Sequence, residues 1–362
     1  MRVAVIMAGG SGQRFWPLSR KSRPKQLLAL TNDKPMVANT VDRAARCVGV
    51  EQVYIVAGPE LTPQLETALP ELPKENFIVE PMRRNTGPCL ALAAAVLQAR
   101  HGAETTMGVM TADHLIPDLD AFARNADLAY DQAAKNRSLV TMGVRPTFPS
   151  TGLGYLELGE KTADDERGEV YKVERFKEKP DLPTAKQFLE AGNYLWNSGM
   201  FFWRVDVLID AFHKYAPAIG RAADQIMEAE GGDDFNTRLT AIFNELDSKS
   251  IDYAVMEHAE NVEAVAAAFA WHDVGTWSAL DTVREKDERN NIRVGRTVAM
   301  DTENCIIHNL DDDNETLVAT MGVKDLVIVS SGDAVLVCPR DKEQDIKQLL
   351  AQIKDEGYEG KL

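Results

Sequence analysis

Cysteine is scarce in this chain. Four stand in 362 residues, Cys47, Cys89, Cys305 and Cys338, far apart and in no metal or redox spacing. That excludes a disulfide framework and a thiolate metal site, and it reads as scattered reduced thiols of a cytoplasmic protein. Long apolar runs are missing as well. None approaches the roughly 18–20 residues that a membrane-spanning helix needs. The N-terminal run Val3-Ala4-Val5-Ile6-Met7 is too short for a secretory signal, and it leads into glycines and basic residues rather than a cleavage site. Positive charge is in deficit: the net charge is −16. A chain this acidic is not built to bind nucleic acid or an anionic membrane through its overall field. What remains, 44% hydrophobic and 27% charged residues, is a soluble globular composition. The length fits one large domain plus a smaller one.

The charge is placed unevenly. The first acidic residue is Asp33, and before it stand Arg2, Arg14, Arg20, Lys21, Arg23 and Lys25. A cationic segment on an acidic protein suggests a local anion site. The alternative is a basic loop whose partners come from elsewhere in the fold, and charge alone does not choose between them.

Short apolar runs alternate with helical patterns through the first part of the chain. Strands are predicted over 2–7, 52–57, 76–80, 105–111 and 139–144, and helices over 35–47, 59–69, 87–100 and 119–136. Thr86 is the predicted cap of the third helix, with Pro88 tolerated in its first turn. Such alternation implies a mostly parallel sheet covered by helices on both faces, a Rossmann-like α/β fold. Two further strands, 152–158 and 169–176, are predicted around an acidic loop at 160–168, followed by helices over 184–191, 205–215, 219–228 and 235–243. From about Ile292 the chain becomes strand-rich, with short runs at 298–300, 305–309, 317–321, 326–330 and 334–338, then a polar helix at 341–354. This suggests a small coiled sheet or partial β-helix. The expected division is a domain over 1–289 and a small β-rich domain over 290–362.

The strongest local feature is Ala8-Gly9-Gly10-Ser11-Gly12-Gln13-Arg14, directly after the first strand. Glycines let the backbone approach an anion and aim successive N–H groups at it. In a parallel sheet this loop falls at the carboxyl ends of the strands, where ligands bind. It is not a dinucleotide fingerprint, since Phe15 stands where that motif wants glycine, and no Gly-Lys-Ser/Thr follows to make a Walker A loop. A tight turn with no ligand would leave the same pattern. The segment goes on through Arg14-Phe15-Trp16-Pro17-Leu18-Ser19 to Pro24-Lys25-Gln26, placing two cations on a loop stiffened by two prolines. Arginine grips phosphate bidentately and lysine adds a compact charge.

The pattern Gly-Gly-x-Gly-x-Arg-x-x-Pro through Pro-Lys resembles the signature of the sugar-1-phosphate nucleotidyltransferases. Its Phe-Trp-Pro-Leu-Ser form resembles the mannose-1-phosphate guanylyltransferases among them. Further blocks resemble that family in order: Glu80-Pro81-Met82-Arg83-Arg84-Asn85-Thr86-Gly87-Pro88, Thr111-Ala112-Asp113-His114, Phe176-Lys177-Glu178-Lys179-Pro180, Trp196-Asn197-Ser198-Gly199-Met200, the segment 250–257, and Trp271-His272-Asp273-Val274-Gly275.

The resemblance implies GTP and mannose 1-phosphate as substrates, GDP-mannose and pyrophosphate as products, Mg²⁺ as cofactor and a homodimer. It implies that Ala8, Gly9, Gly10, Gly12, Asn85, Thr86 and Asp113 bind the nucleotide. Gly154, Glu178 and Asn197 would bind the sugar, and Asp113 and Asp273 the metal. Arg14, Lys25 and Lys179 would be the catalytic cations. Each residue has a plainer reading beside this one: a turn or capping aspartate for Asp113 and Asp273, a surface ion-pair loop for Glu178-Lys179, a turn for Asn197 and Gly154. Trp196 and Trp277 read as core packing, and His114 and His272 as orienting groups. The same reaction with dTTP or UTP and glucose 1-phosphate is the nearest alternative. A silent nucleotide-sugar-binding regulatory homologue is another, and a third reading makes the strand-rich tail a protein-interaction module. Longer bifunctional relatives carry an added isomerase domain; the chain reaches Leu362, about where the transferase part should stop, so no isomerase activity is expected.

Overall fold

Among the described residues, eleven strands precede the strand-rich tail: β1 (Arg2–Met7), β2 (Val53–Ala57), β3 (Phe77–Val79), β4 (Thr106–Thr111), β5 (His114–Leu115), β6 (Leu139–Val144), β7 (Gly154–Asp165), β8 (Gly168–Lys177), β9 (Tyr194–Arg204), β10 (Val262–Ala266) and β11 (His272–Asp273). The computed structural model describes residues 1–10, 12–310 and 316–362; Ser11 of the glycine loop lies outside the described residues. The described residues fall into two compact units, each discontinuous in sequence. The first holds residues 1–9, 40–111 and 116–271, and the second 10–39, 112–115 and 272–362. The glycine loop beyond Gly9 and the segment around Asp113 thus group with the C-terminal strands.

The first unit is built on a nine-stranded sheet in the order β3-β2-β1-β4-β9-β6-β10-β8-β7. The pairs β3–β2, β2–β1, β1–β4 and β6–β10 are parallel. Antiparallel β9 is inserted between β4 and β6. The order reverses at β1, which lies between β2 and β4, so a topological switch point falls at the carboxyl ends of β1 and β4, the place where open α/β sheets bind ligands. Side chains of one strand alternate between faces. Phe201 and Trp203 enter the core that contains the helix Thr86–His101, whereas Phe202 meets Tyr130 of the helix Leu119–Asn136 edge-on at 4.9 Å. Both faces are therefore covered. The helix Thr86–His101 is buried from Gly87 through Val96 and Leu97, which is why its apolar residues show no one-sided stripe.

Four expectations need correction here. The acidic segment 160–168 is not a loop: β7 runs to Asp165 and β8 starts at Gly168. Lys161 pairs with Asp164 at 3.0 Å and Glu169 at 2.6 Å, so the carboxylates sit along a hairpin that a cation holds together. Strand β9 was not predicted, because Asn197-Ser198-Gly199 reads as a turn. Thr86 does not cap the helix it opens; Asn85 does, with its side chain accepting from the Thr86 N–H at 2.9 Å. Arg2 is no part of an anion site, since it is spent on Asp127 and Asp131 at 2.6 and 2.7 Å.

The second unit contains β12 (Ile292–Val294), β13 (Thr297–Met300), β14 (Ile306–Asn309), β15 (Val318–Met321), β16 (Leu326–Ser331) and β17 (Ala334–Pro339). They pair as β12-β14-β16-β17 and β13-β15, parallel except for the last hairpin. The polar C-terminal segment opens as a 3-10 turn at Arg340–Asp345 and becomes α-helical at Ile346–Asp355. The core joins Ile306, Val327, Val329 and Ile346 to Phe15, Trp16, Leu18 and Trp277, so the stretch after the glycine loop is anchored from both ends of the sequence. Trp277 is fully buried with its ring 5.0 Å from Phe15; in the first unit Trp196 is likewise buried.

The same core buries His308, with neither ring nitrogen hydrogen-bonded among the described residues. Burial, aided by the charge of Arg284, pushes its pKa down to about 3. The folded imidazole thus resists protonation while the unfolded one accepts a proton below about 6.5. Stability from this site is complete above pH 6.5 and is lost as pH falls toward 3, on the order of 2 kcal/mol by pH 5. His308→Phe is expected to remove that loss, which urea unfolding of both proteins at pH 7 and pH 5 measures. Equal pH sensitivity of the two would refute the assignment.

Candidate functional site

In the second unit, the loop is shaped by its own sequence. Gly12 has φ +59°, a left-handed conformation that favours glycine, and a Cβ there would stand 2.4 Å from Lys25 Cβ and 2.8 Å from Ser19 Oγ. Lys25 and the turn it opens therefore pack directly on Gly12. Gln26 Nε2 donates to the Gly10 carbonyl at 2.8 Å, fixing the loop from the other side. The Lys25 side chain is only 6% exposed, and its ammonium meets Asp113 Oδ2 at 2.9 Å. Two residues named on sequence, one as a catalytic cation and one as a metal carboxylate, are thus brought into one ion pair. Arg14 lies in a 3-10 turn beside buried Phe15, and its Nε is buried without a hydrogen-bond partner among the described residues. Such a donor is costly unless a ligand completes it.

Asp273 joins this group through β11, which pairs antiparallel with β5 in the register Asp273↔His114. The ladder puts Asp273 opposite the neighbour of Asp113. Among the described residues, no three His, Cys, Asp or Glu side chains gather as a metal cluster. Two carboxylates suit Mg²⁺ that draws its other ligands from substrate phosphates and water. Burial lowers the His272 pKa below the usual imidazole value.

In the first unit a second group forms around the β7–β9 pairing. Gly154 stands opposite Asn197 in the ladder. A Cβ on Gly154 would lie 2.5 Å from Glu178 Oε2 and 3.3 Å from Asn197 Cβ, so only glycine lets these three residues meet. On the sugar-binding role that the resemblance implies for Gly154, Glu178 and Asn197, Gly154→Ala should push Glu178 aside and cut kcat/KM for a sugar phosphate about 10- to 100-fold. The KM for the nucleotide should hold, and steady-state kinetics with each substrate varied in turn measures both. A sugar KM equal to wild type would remove Gly154 from the site.

Glu178 is buried, and its backbone N–H donates to Glu257 Oε1 at 3.0 Å. Its own carboxylate is bonded by the Lys179 ammonium. Burial works against the charge on Lys179, but that bond and the Glu178 charge hold its pKa above the usual value. Asn197 sits where β9 bulges: between Thr141 and Gly143 of β6 the partner shifts from Phe201 to Asn197. Gly199, at φ +73°, makes the bulge possible, and Ser198 Oγ pins it by donating to the Met142 carbonyl at 2.7 Å. Asp252 approaches Asn197, and its pKa is pushed up to about 6 by burial and by the charge of Glu178.

The 80–88 segment adds a third feature. Glu80 ends 6% exposed, with burial pushing its pKa up to about 7 against the opposing backbone bond from Arg84 and the charge of Arg83. Gly87 donates to the Lys249 carbonyl at 3.0 Å and Thr86 Oγ1 accepts from the Ile251 N–H at 2.9 Å, so 249–251 braces the helix start. Sequence reasoning gave no role to Thr141, Asp252 and Glu257. Asp252 and Glu257 lie inside the segment 250–257 already singled out, whereas Thr141 sits in a strand with nothing to mark it.

An open α/β sheet in the first unit, and in the second a glycine turn packed on a lysine–aspartate pair together with short, mostly parallel strands, fit a nucleotidyltransferase. The comparisons agree: the nucleotidyl transferase family model matches residues 3–290, and a mannose-P isomerase/GMP-like β-helix domain model matches 295–353. The chain is 40% identical over 358 residues to a mannose-1-phosphate guanylyltransferase of Klebsiella pneumoniae, covering 98% of this chain and 74% of that one. It is 38% identical to the xanthan biosynthesis protein XanB of Xanthomonas campestris, covering 98% and 73%. Among solved structures, one from Thermus thermophilus described as a mannose-1-phosphate geranyltransferase superposes with a TM-score of 0.85 at 32% identity, covering 98% of this chain and 99% of that one. The chain belongs to the nucleotidyl transferase family, within its mannose-1-phosphate guanylyltransferase group.

Proposed function

We propose that this enzyme transfers GMP from GTP to mannose 1-phosphate, giving GDP-mannose and pyrophosphate. The observation that carries the reading is the Lys25–Asp113 pair on the Gly12 turn, with Arg14 Nε, two residues on, buried and without a hydrogen-bond partner among the described residues. Relatives named as mannose-1-phosphate guanylyltransferases support the choice of base and sugar. A phosphate oxygen of the sugar phosphate attacks the α-phosphorus in line, the bond from that phosphorus to the β-phosphate bridging oxygen breaks, and pyrophosphate departs. The nucleophile is already an anion, so no general base is needed, and catalysis reduces to positioning and charge stabilisation. Arg14 and Lys25 take the charge building on pyrophosphate. Lys179 holds the incoming phosphate, while Glu178 and Asn197 orient the hexose. Asn85 and Thr86 fix the helix start that meets the nucleotide. Asp113 and Asp273 are the residues to hold Mg²⁺, which when bound would neutralise phosphate charge.

The labelling pattern tests this directly. GTP labelled at the α-phosphorus should pass its label to the nucleotide sugar, and GTP labelled at the γ-phosphorus should pass it to pyrophosphate. γ-Label in the sugar product would mean a kinase-like reaction instead. The reading also includes a cytoplasmic homodimer. The reduced thiols support the compartment. Exposed Val298, Met300, Met321, Val335 and Val337 on β13, β15 and β17 offer an apolar face for assembly. Light scattering that gives only the monomer mass would refute the dimer.

A further inference from the structure

The bulge of β9 leaves the Asn197 carboxamide nearly committed before any ligand arrives. Its Oδ1 accepts from the Thr141 hydroxyl at 2.9 Å and from the Gly199 N–H at 3.2 Å. Its Nδ2 donates to Asp252 Oδ1 at 3.1 Å. Two of these partners have fixed polarity: a backbone N–H only donates, and an ionised carboxylate only accepts. They decide which end of the amide is oxygen. With both acceptor positions and one donor used, a single N–H remains. Asn197 is 7% exposed, while Thr141 is fully buried, its hydroxyl within donating distance of the Met200 carbonyl at 3.1 Å as well as of Asn197 Oδ1.

We propose that Thr141 and Asp252 are positioning residues that lock Asn197 as a one-way reader: it donates to one hexose hydroxyl and accepts from none. An unlocked amide can flip to suit a donor or an acceptor and so tolerates the wrong epimer; a locked one leaves the wrong hydroxyl with an unpaired donor. Acceptance of sugar hydroxyl protons then falls to carboxylates such as Glu178. This rests on the sugar phosphate assignment made above.

The test joins kinetics to a measurement that needs no turnover. Thr141→Val and Asp252→Ala are each expected to raise the KM for mannose 1-phosphate about tenfold, with kcat and the KM for GTP within about twofold of wild type. Thr141→Ser, which keeps the hydroxyl, should restore the KM. Thr141→Val combined with Asn197→Ala should be no worse than Asn197→Ala alone. An unchanged sugar KM in Thr141→Val, or full additivity in the double variant, would overturn the proposal. In substrate-free protein the Asn197 side-chain amide protons should exchange slowly by heteronuclear NMR, and quickly in Asp252→Ala, which removes the acceptor. Equal rates would overturn the lock whatever the substrate. Slow exchange in a wild type that fails to turn over mannose 1-phosphate would keep the lock and sink the functional reading.

Discussion

Asp113→Asn is expected to lower kcat about a thousandfold while leaving the protein close to wild type in thermal stability. Asparagine keeps an oxygen for the Lys25 ammonium 2.9 Å away, so the buried lysine stays bonded. On the proposed reading, what is lost is the negative charge that would hold Mg²⁺, and added magnesium should not recover the rate. Asp113→Ala should be equally inactive but less stable by about 3 kcal/mol, because a lysine side chain only 6% exposed then loses its counter-charge. Steady-state pyrophosphate release and thermal unfolding of both variants separate the two effects. A near-normal kcat in Asp113→Asn would remove this residue from the mechanism, and equal stability of the two variants would contradict the account of Lys25.

Arg14→Ala should cost about 100- to 1,000-fold in kcat, with the KM for mannose 1-phosphate within about threefold of wild type. The reason lies in the neighbours. Gly12 sets the turn, Phe15 is packed against Trp277, and the guanidinium between them keeps a buried Nε donor unfilled among the described residues. On the proposed reading a ligand completes that donor, and a departing pyrophosphate matches the charge and fork geometry of Arg14. Arg14→Lys should recover little, since an ammonium cannot make the paired bonds. Rates measured with each substrate saturating test this, and an unchanged kcat in Arg14→Ala would exclude the role.

Much of this was legible before any coordinates. Strands of four or more apolar residues, such as β1 and β6, and the helices 119–136 and 205–215 declare themselves by period and composition. The glycine loop, Lys25 and Asp113 were legible as separate motifs; their ion pair was not, because 87 residues lie between the two in sequence. Strand β9 was hidden by its own bulge, since the residues that make Gly199 turn inside a sheet are those that make turns outside one. Thr141 was invisible for a different reason. A threonine in a strand is ordinary, and only the register against β9 puts its hydroxyl on Asn197. The basic N-terminal segment divided between both readings of its charge: Arg2 and Arg20 found carboxylates, while Arg14 Nε did not.

The most direct test of the central claim is pyrophosphate release in the presence of magnesium, with each of the four nucleoside triphosphates paired against mannose 1-phosphate and glucose 1-phosphate. The account predicts rapid release with GTP and mannose 1-phosphate and at least about a hundredfold less with every other pair. Preferred turnover of dTTP or UTP with glucose 1-phosphate, or no release from folded protein with any pair, would contradict it.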